Sequence, residues 1–134
     1  MKRNLLISLT LIAIMLSACG SFGGDSLDGT SWKLIAIGNS SPVVGSTLTL
    51  AFENGQVSGH SGCNSFGGTY KISGDKLQFD QMMSTMMACV DQSLMEQESA
   101  FMKFLDDAQS FEIVDGQLHV YRSSGDALIF VPVE

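Results

Sequence analysis

Apolar residues recur along this chain at two spacings, and one stretch has no spacing at all. The unspaced stretch is Leu5 to Leu16, interrupted by Ser8 and Thr10. As a helix it would reach about 18 Å, short of the roughly 30 Å of a hydrocarbon core, and it follows Lys2 and Arg3, so it is expected to be a signal peptide. From Thr30 onward the period is two. Trp32, Leu34 and Ala36 alternate with Lys33, Ile35 and Ile37, and Leu48, Leu50 and Phe52 alternate with Thr47, Thr49 and Ala51. These read as strands. Asn54-Gly55 then predicts a tight hairpin to Gln56-Val57-Ser58. Ser73-Gly74-Asp75 joins Thr69–Ile72 to Lys76–Phe79, and Asp115-Gly116 joins Ser110–Val114 to Gln117–Tyr121. A last strand spans Ala127 to Val131.

One segment has the helical period. Phe101, Phe104, Leu105 and Ala108 fall at i, i+3, i+4 and i+7, a stripe that one helix buries. Ser93-Leu94-Met95-Glu96 has the form of a capping box ahead of it, so the helix is expected from about Leu94 to Asp107. A lone amphipathic helix among antiparallel strands must lay its stripe on the sheet or plug a barrel that does not fully close. The expected class is α+β: a compact antiparallel, barrel-like domain of seven to eight short strands with one packed helix. A barrel this small is expected to be filled by its own side chains.

The 134 residues carry 7 basic and 14 acidic groups. Loss of a leader comprising residues 1–18 removes Lys2 and Arg3 and takes the net charge from −7 to −9. Nucleic acid is therefore excluded as an expected partner. The leader ends in Leu16-Ser17-Ala18-Cys19, which resembles a bacterial lipobox. That resemblance implies diacylglycerol on Cys19, cleavage before it and acylation of the new amino terminus, giving an anchor rather than a ligand or nucleophile. Residues 20–28, rich in Gly and Ser, read as the linker of a lipidated tether over 19–28. The expected bilayer partner is reached through Cys19. Gly20, with no aspartate there, points to the outer membrane facing the periplasm if the organism has two membranes.

Cys63 and Cys89 are the thiols of the body, and an exported pair is expected to oxidise to a disulfide. The competing reading is a nucleophilic cysteine, for which His60 and His119 are the available bases. His60 and Cys63 diverge if the segment is extended, and His119 is expected to face solvent. Gly59-His60-Ser61-Gly62 falls short of a nucleophile elbow because Cys63 stands where the second glycine belongs. A cysteine-dependent hydrolase is the weaker alternative, and no catalytic residue is assigned.

Met82, Met83, Met86 and Met87 lie within eight residues of Cys89. Soft sulfur ligands select Cu(I), so a copper-binding site over Met82–Cys89 is the alternative function. The favoured reading is packing, with methionine filling gaps between sheet and helix, and no metal or cofactor is assigned. Exposed methionines there would instead be prone to oxidation and would mark a surface for a partner.

Three segments together resemble a known family. These are Leu27 to Leu34 (LDGTSWKL), Ser58 to Tyr70 (SGHSGCNSFGGTY) and Ser84 to Cys89 (STMMAC). They are similar to the META domain, the family of HslJ-like bacterial heat-shock lipoproteins, over essentially Leu27 to Val133. The resemblance implies a barrel-like antiparallel structure with one helix, a domain over 29–134, and a link with envelope stress and antibiotic tolerance. It supplies no catalytic residue. The expected function is a non-enzymatic binding or interaction module with an envelope protein partner. Within the middle segment, Gly59, Gly62, Gly67 and Gly68 are expected to permit backbone conformations and close approaches that other residues forbid, and Asn64 to adopt a left-handed conformation or bond its own backbone.

Overall fold

The computed structural model describes residues 26–134; the leader, Cys19 and most of the tether lie outside the described residues. Eight strands and one helix follow in chain order: β1 (Thr30–Ile37), β2 (Thr49–Glu53), β3 (Gln56–His60), β4 (Ser65–Ser73), β5 (Lys76–Ser84), α1 (Gln92–Asp106), β6 (Ala108–Val114), β7 (Gln117–Arg122) and β8 (Ala127–Pro132). Each strand pairs antiparallel with its neighbour in sequence, and β8 returns to pair with β1. The result is a closed, mostly β barrel of eight strands with the one helix expected, so the barrel is complete rather than the incompletely closed one the lone helix suggested.

Turn chemistry sets this simple order. Asn54-Gly55 and Asp115-Gly116 both have positive φ at the two central positions, 51° and 77° in each. That twist matches the right-handed twist of the strands they join. Alternation then sorts the side chains. Trp32, Leu50, Phe52, Tyr70, Leu118 and Phe130 point inward and are buried, while Lys33, Glu53, Lys71, Asp80 and Glu112 are exposed on the outside. An apolar interior under a charged exterior is the reverse of a lipid-spanning barrel. Phe52 meets Tyr70 edge-on at 4.9 Å and stacks on Phe79 at 6.2 Å, so the interior is packed by its own rings.

The seam between β5 and β6 is short, with Lys76 opposite Ser110 and the Phe111 amide donating to the Asp75 carbonyl at 2.9 Å. The chain leaves β5 at Ser84 and returns through α1, whose stripe enters the barrel. Phe101 sits 5.8 Å from Phe66 and 6.5 Å from Phe130, and Phe104 and Leu105 are buried beside it. The Arg122 guanidinium lies 4.7 Å over the Phe104 ring.

Three local expectations change. The helix cap is Asp91 rather than Ser93: the Ser93 amide and hydroxyl both donate to Asp91 Oδ1, at 2.9 and 2.8 Å. A carboxylate accepts both donors at once, so the helix starts earlier, at Gln92, and Glu96 turns instead to Gln92 Nε2 at 2.9 Å. Leu27, grouped with the linker by its neighbours' composition, is fully buried, and its carbonyl accepts from the Thr30 amide and hydroxyl. Asp28 Oδ1 accepts the Asn54 amide at 2.7 Å, pinning the first hairpin. The folded body thus reaches back into the segment taken as tether.

Two glycines are required by close approach. A side chain at Gly59 would meet the Thr49 carbonyl oxygen at 1.9 Å. At Gly68 it would meet Met82 Sδ at 2.6 Å, because β5 carries an extra residue there and Gln81 has φ 53°.

Candidate functional site

The site grows from the turn between β3 and β4. Asn64 is buried, yet its φ is not in the left-handed region, so conformational tolerance is not its role. Its side chain ties three segments together. Nδ2 donates to Glu98 Oε1 at 2.6 Å and to the Met87 carbonyl at 3.4 Å. Oδ1 accepts from the Thr85 hydroxyl at 2.9 Å and from the Met87 amide at 2.7 Å. Its own amide donates to Glu98 Oε2 at 2.9 Å, and its carbonyl accepts the Ser61 amide and hydroxyl, each at 2.9 Å. Every hydrogen-bonding group of this asparagine is engaged, which is what a buried amide needs.

Glu98 reaches this turn from α1. Burial pushes its carboxyl upward, but the hydrogen bonds from the Asn64 side chain and amide, with smaller help from the Cys63 amide, hold it below the ordinary carboxylate value. One helix residue earlier, the buried Gln97 fastens another loop: Oε1 accepts the Val43 amide at 2.6 Å and Nε2 donates to Ser46 Oγ at 3.0 Å. Neither role was read from the sequence. A signal existed, since Gln97 precedes Phe101 by four residues and Glu98 by three, so both polar side chains run in phase with the apolar stripe.

Beside Asn64, Cys63 and Cys89 are joined as a disulfide with Cα atoms 5.8 Å apart. Both sulfurs and a Glu98 carboxylate oxygen lie within 4.8 Å of one another, but sulfurs bonded to each other have no thiolate to offer a metal. The bridge and Asn64 fix the connection from Thr85 to Asp91 by Cys89 and by Met87. His60 is exposed, with Nε2 3.2 Å from Ser65 Oγ, while Ser61 is fully buried with its hydroxyl given to Asn64. His119 lies half-buried on the outside of β7, its Nδ1 3.3 Å from the Tyr121 hydroxyl, which itself donates to Glu112.

The methionines overturn the packing expectation. Met82 does pack against the core, across Gly68. Met83, Met86 and Met87 do not: they are 77, 96 and 61 % exposed, and Val90 and Met95 are exposed next to them. The reason is spatial. The sheet–helix gap they were to fill is already occupied by Phe66, Phe101 and Phe104, and a strap pinned through its backbone cannot turn its side chains inward. The clefts here run together on the surface: Met83, Ser84 and Thr85 line one, and Thr85, Met87 and Met95 line the next. A third, reached past Met95, is walled by Cys89, Val90 and Glu96. The arrangement is an open, thioether-rich surface on a fixed backbone.

Comparison with curated proteins gives no match. Among solved structures, the chain is similar to a protein from Burkholderia xenovorans determined by NMR, at 28 % identity and a TM-score of 0.66, covering 80 % of this chain and 83 % of that one. A second NMR structure is similar at 21 % identity and a TM-score of 0.65, covering 78 and 90 % of the two chains. A crystal structure of a DUF4847 family protein from Bacteroides vulgatus, 12 % identical with a TM-score of 0.56 over 79 and 94 %, shares the fold. The profile of the META domain matches residues 25–134, the whole barrel with its helix, and the chain belongs to the META domain family.

Proposed function

We propose that this chain is an envelope lipoprotein, anchored in a bilayer by acylated Cys19, whose META domain is a non-enzymatic interaction module serving envelope stress. The observation that carries the reading is the strap: Met86, Met87 and Val90 stand in solvent on a backbone fixed by a disulfide and a buried asparagine, with Met83 of β5 exposed beside them. Exposed apolar side chains that a protein holds in place mark a surface for another molecule. The barrel interior is packed with the protein's own rings, which directs attention to the outside.

A photo-crosslinking amino acid at Val90 of the full-length chain, in intact cells, tests the module. A discrete adduct is expected there, lost on Met86→Glu with Met87→Glu and absent from a probe at Glu53 across the barrel. Equal labelling at both positions would overturn it. Fractionation of Cys19→Ala tests the anchor, which requires the variant to leave the membrane pellet.

A further inference from the structure

We propose that the strap and its two flanks form a reversible oxidation site, in which Met86 and Met87 of the strap, Met83 near the end of β5 and Met95 in the first turn of α1 take up oxygen from hypohalous acids while the fold stays intact. Six methionines lie among the described residues, four of them exposed and two partly buried. Met86 is 96 % exposed, Met83 77 %, Met87 61 % and Met95 49 %, whereas Met82 and Met102 are partly buried against the core. Thioether oxidation needs collision between the oxidant and sulfur, so exposure sets its order. The group that would compete fastest, a free thiol, is absent among the described residues, because Cys63 and Cys89 are joined as a disulfide.

The step balances with the oxidant named. The sulfur gains the oxygen of hypochlorous acid as the O–Cl bond breaks; chlorine leaves as chloride with the two electrons sulfur has given up, and the hydroxyl proton passes to water. The product is a sulfoxide, polar where the thioether was apolar, which sulfoxide reductases return to methionine. The fold tolerates the change because the strap is held by its backbone. The Met87 amide and carbonyl bond to Asn64, and Cys89 is fixed by its disulfide, so no tie runs through a thioether. Oxidation therefore removes the apolar character of the surface without unfolding the barrel. That last consequence, a docking surface switched off by oxidants, rests on the interaction reading above; the chemistry does not.

The test treats the full-length protein, purified in detergent, with limiting hypochlorous acid, and maps sulfoxides by peptide mass spectrometry. The four exposed methionines are expected to oxidise about tenfold ahead of Met82 and Met102, in the order of their exposure, with near-ultraviolet circular dichroism unchanged. Retention on a phenyl resin should fall after oxidation and recover with a methionine sulfoxide reductase. A variant carrying Leu at Met83, Met86, Met87 and Met95 should keep its retention under the same treatment. Early oxidation of Met82 or Met102, or loss of the dichroism signal as the first sulfoxides form, overturns the site. Correct mapping with unchanged phenyl retention overturns the switch alone, and a missing Val90 adduct would count against the interaction reading without touching the chemistry.

Discussion

Phe101 and Met86 are both large apolar side chains, yet the first is 0 % exposed and the second 96 %. Phe101 packs inside the barrel against rings from two strands, Phe66 of β4 and Phe130 of β8. Met86 belongs to a strap whose backbone is satisfied by Asn64 and the disulfide, so its side chains were never needed to hold the chain down. The contrast separates two ways of fixing a segment, by burying side chains or by binding the backbone. The second leaves side chains free for other work.

The sharpest way to break the comparison is at the barrel. Phe101→Ala should cost about 3–5 kcal/mol of unfolding free energy, since the cavity lies between Phe66 and Phe130 and cannot collapse. Chemical denaturation would measure it, and a cost below 1 kcal/mol would mean the helix is not plugging the barrel. The bridge comes next. Its loop spans 26 residues, so replacing Cys63 and Cys89 together by Ala should cost about 3.5 kcal/mol from chain entropy, and should release the strap to proteolysis before the barrel.

A smaller effect is expected at Glu98, where Glu98→Ala should cost about 2 kcal/mol because Asn64 loses a charged acceptor. Its pH dependence has a definite sign. A carboxyl held low in the folded state contributes fully above its ordinary value, and that contribution is lost as pH falls through the depressed one. Urea midpoints between pH 7 and pH 3 should therefore fall less steeply in Glu98→Gln than in the parent. Asp91, also held low by the Ser93 hydroxyl and amide, remains in both proteins and cancels in the difference. Last, Met86→Gln should change stability by less than about 0.5 kcal/mol, because its side chain leaves solvent for nothing. A larger loss would place Met86 with Phe101 rather than opposite it.

Much of the barrel was legible in local pattern. Alternation marked the strands, Asn54-Gly55 and Asp115-Gly116 marked their turns, and Phe101, Phe104 and Leu105 marked the buried helix face, whereas Ala108, expected on the same stripe, is buried as the first residue of β6 because the helix ends at Asp106. The candidate site was half legible. Cys63 and Cys89 announced a link because two cysteines behind an expected export signal read as a disulfide. Asn64 was noticed for the wrong reason, as a turn former, because its partners Glu98 and Met87 lie more than twenty residues away and nothing local names them. The helix start is ambiguous in the sequence because Asp91 and Ser93 are both good caps, and only geometry chooses the carboxylate that accepts two donors.

The sequence alone determined which residues face each other's side of a strand or helix, where the chain turns, and which two sulfurs could pair, because those depend on spacing along the backbone. Tertiary structure decided that eight strands close, that Leu27 enters the core, and that Met82 packs partly buried against the core while Met86 stands in water. The physical reason is that apolar attraction has no direction. A methionine carries no mark of whether it will be buried until the volume it could fill has been claimed, and here the aromatic rings of the barrel and helix claimed it first.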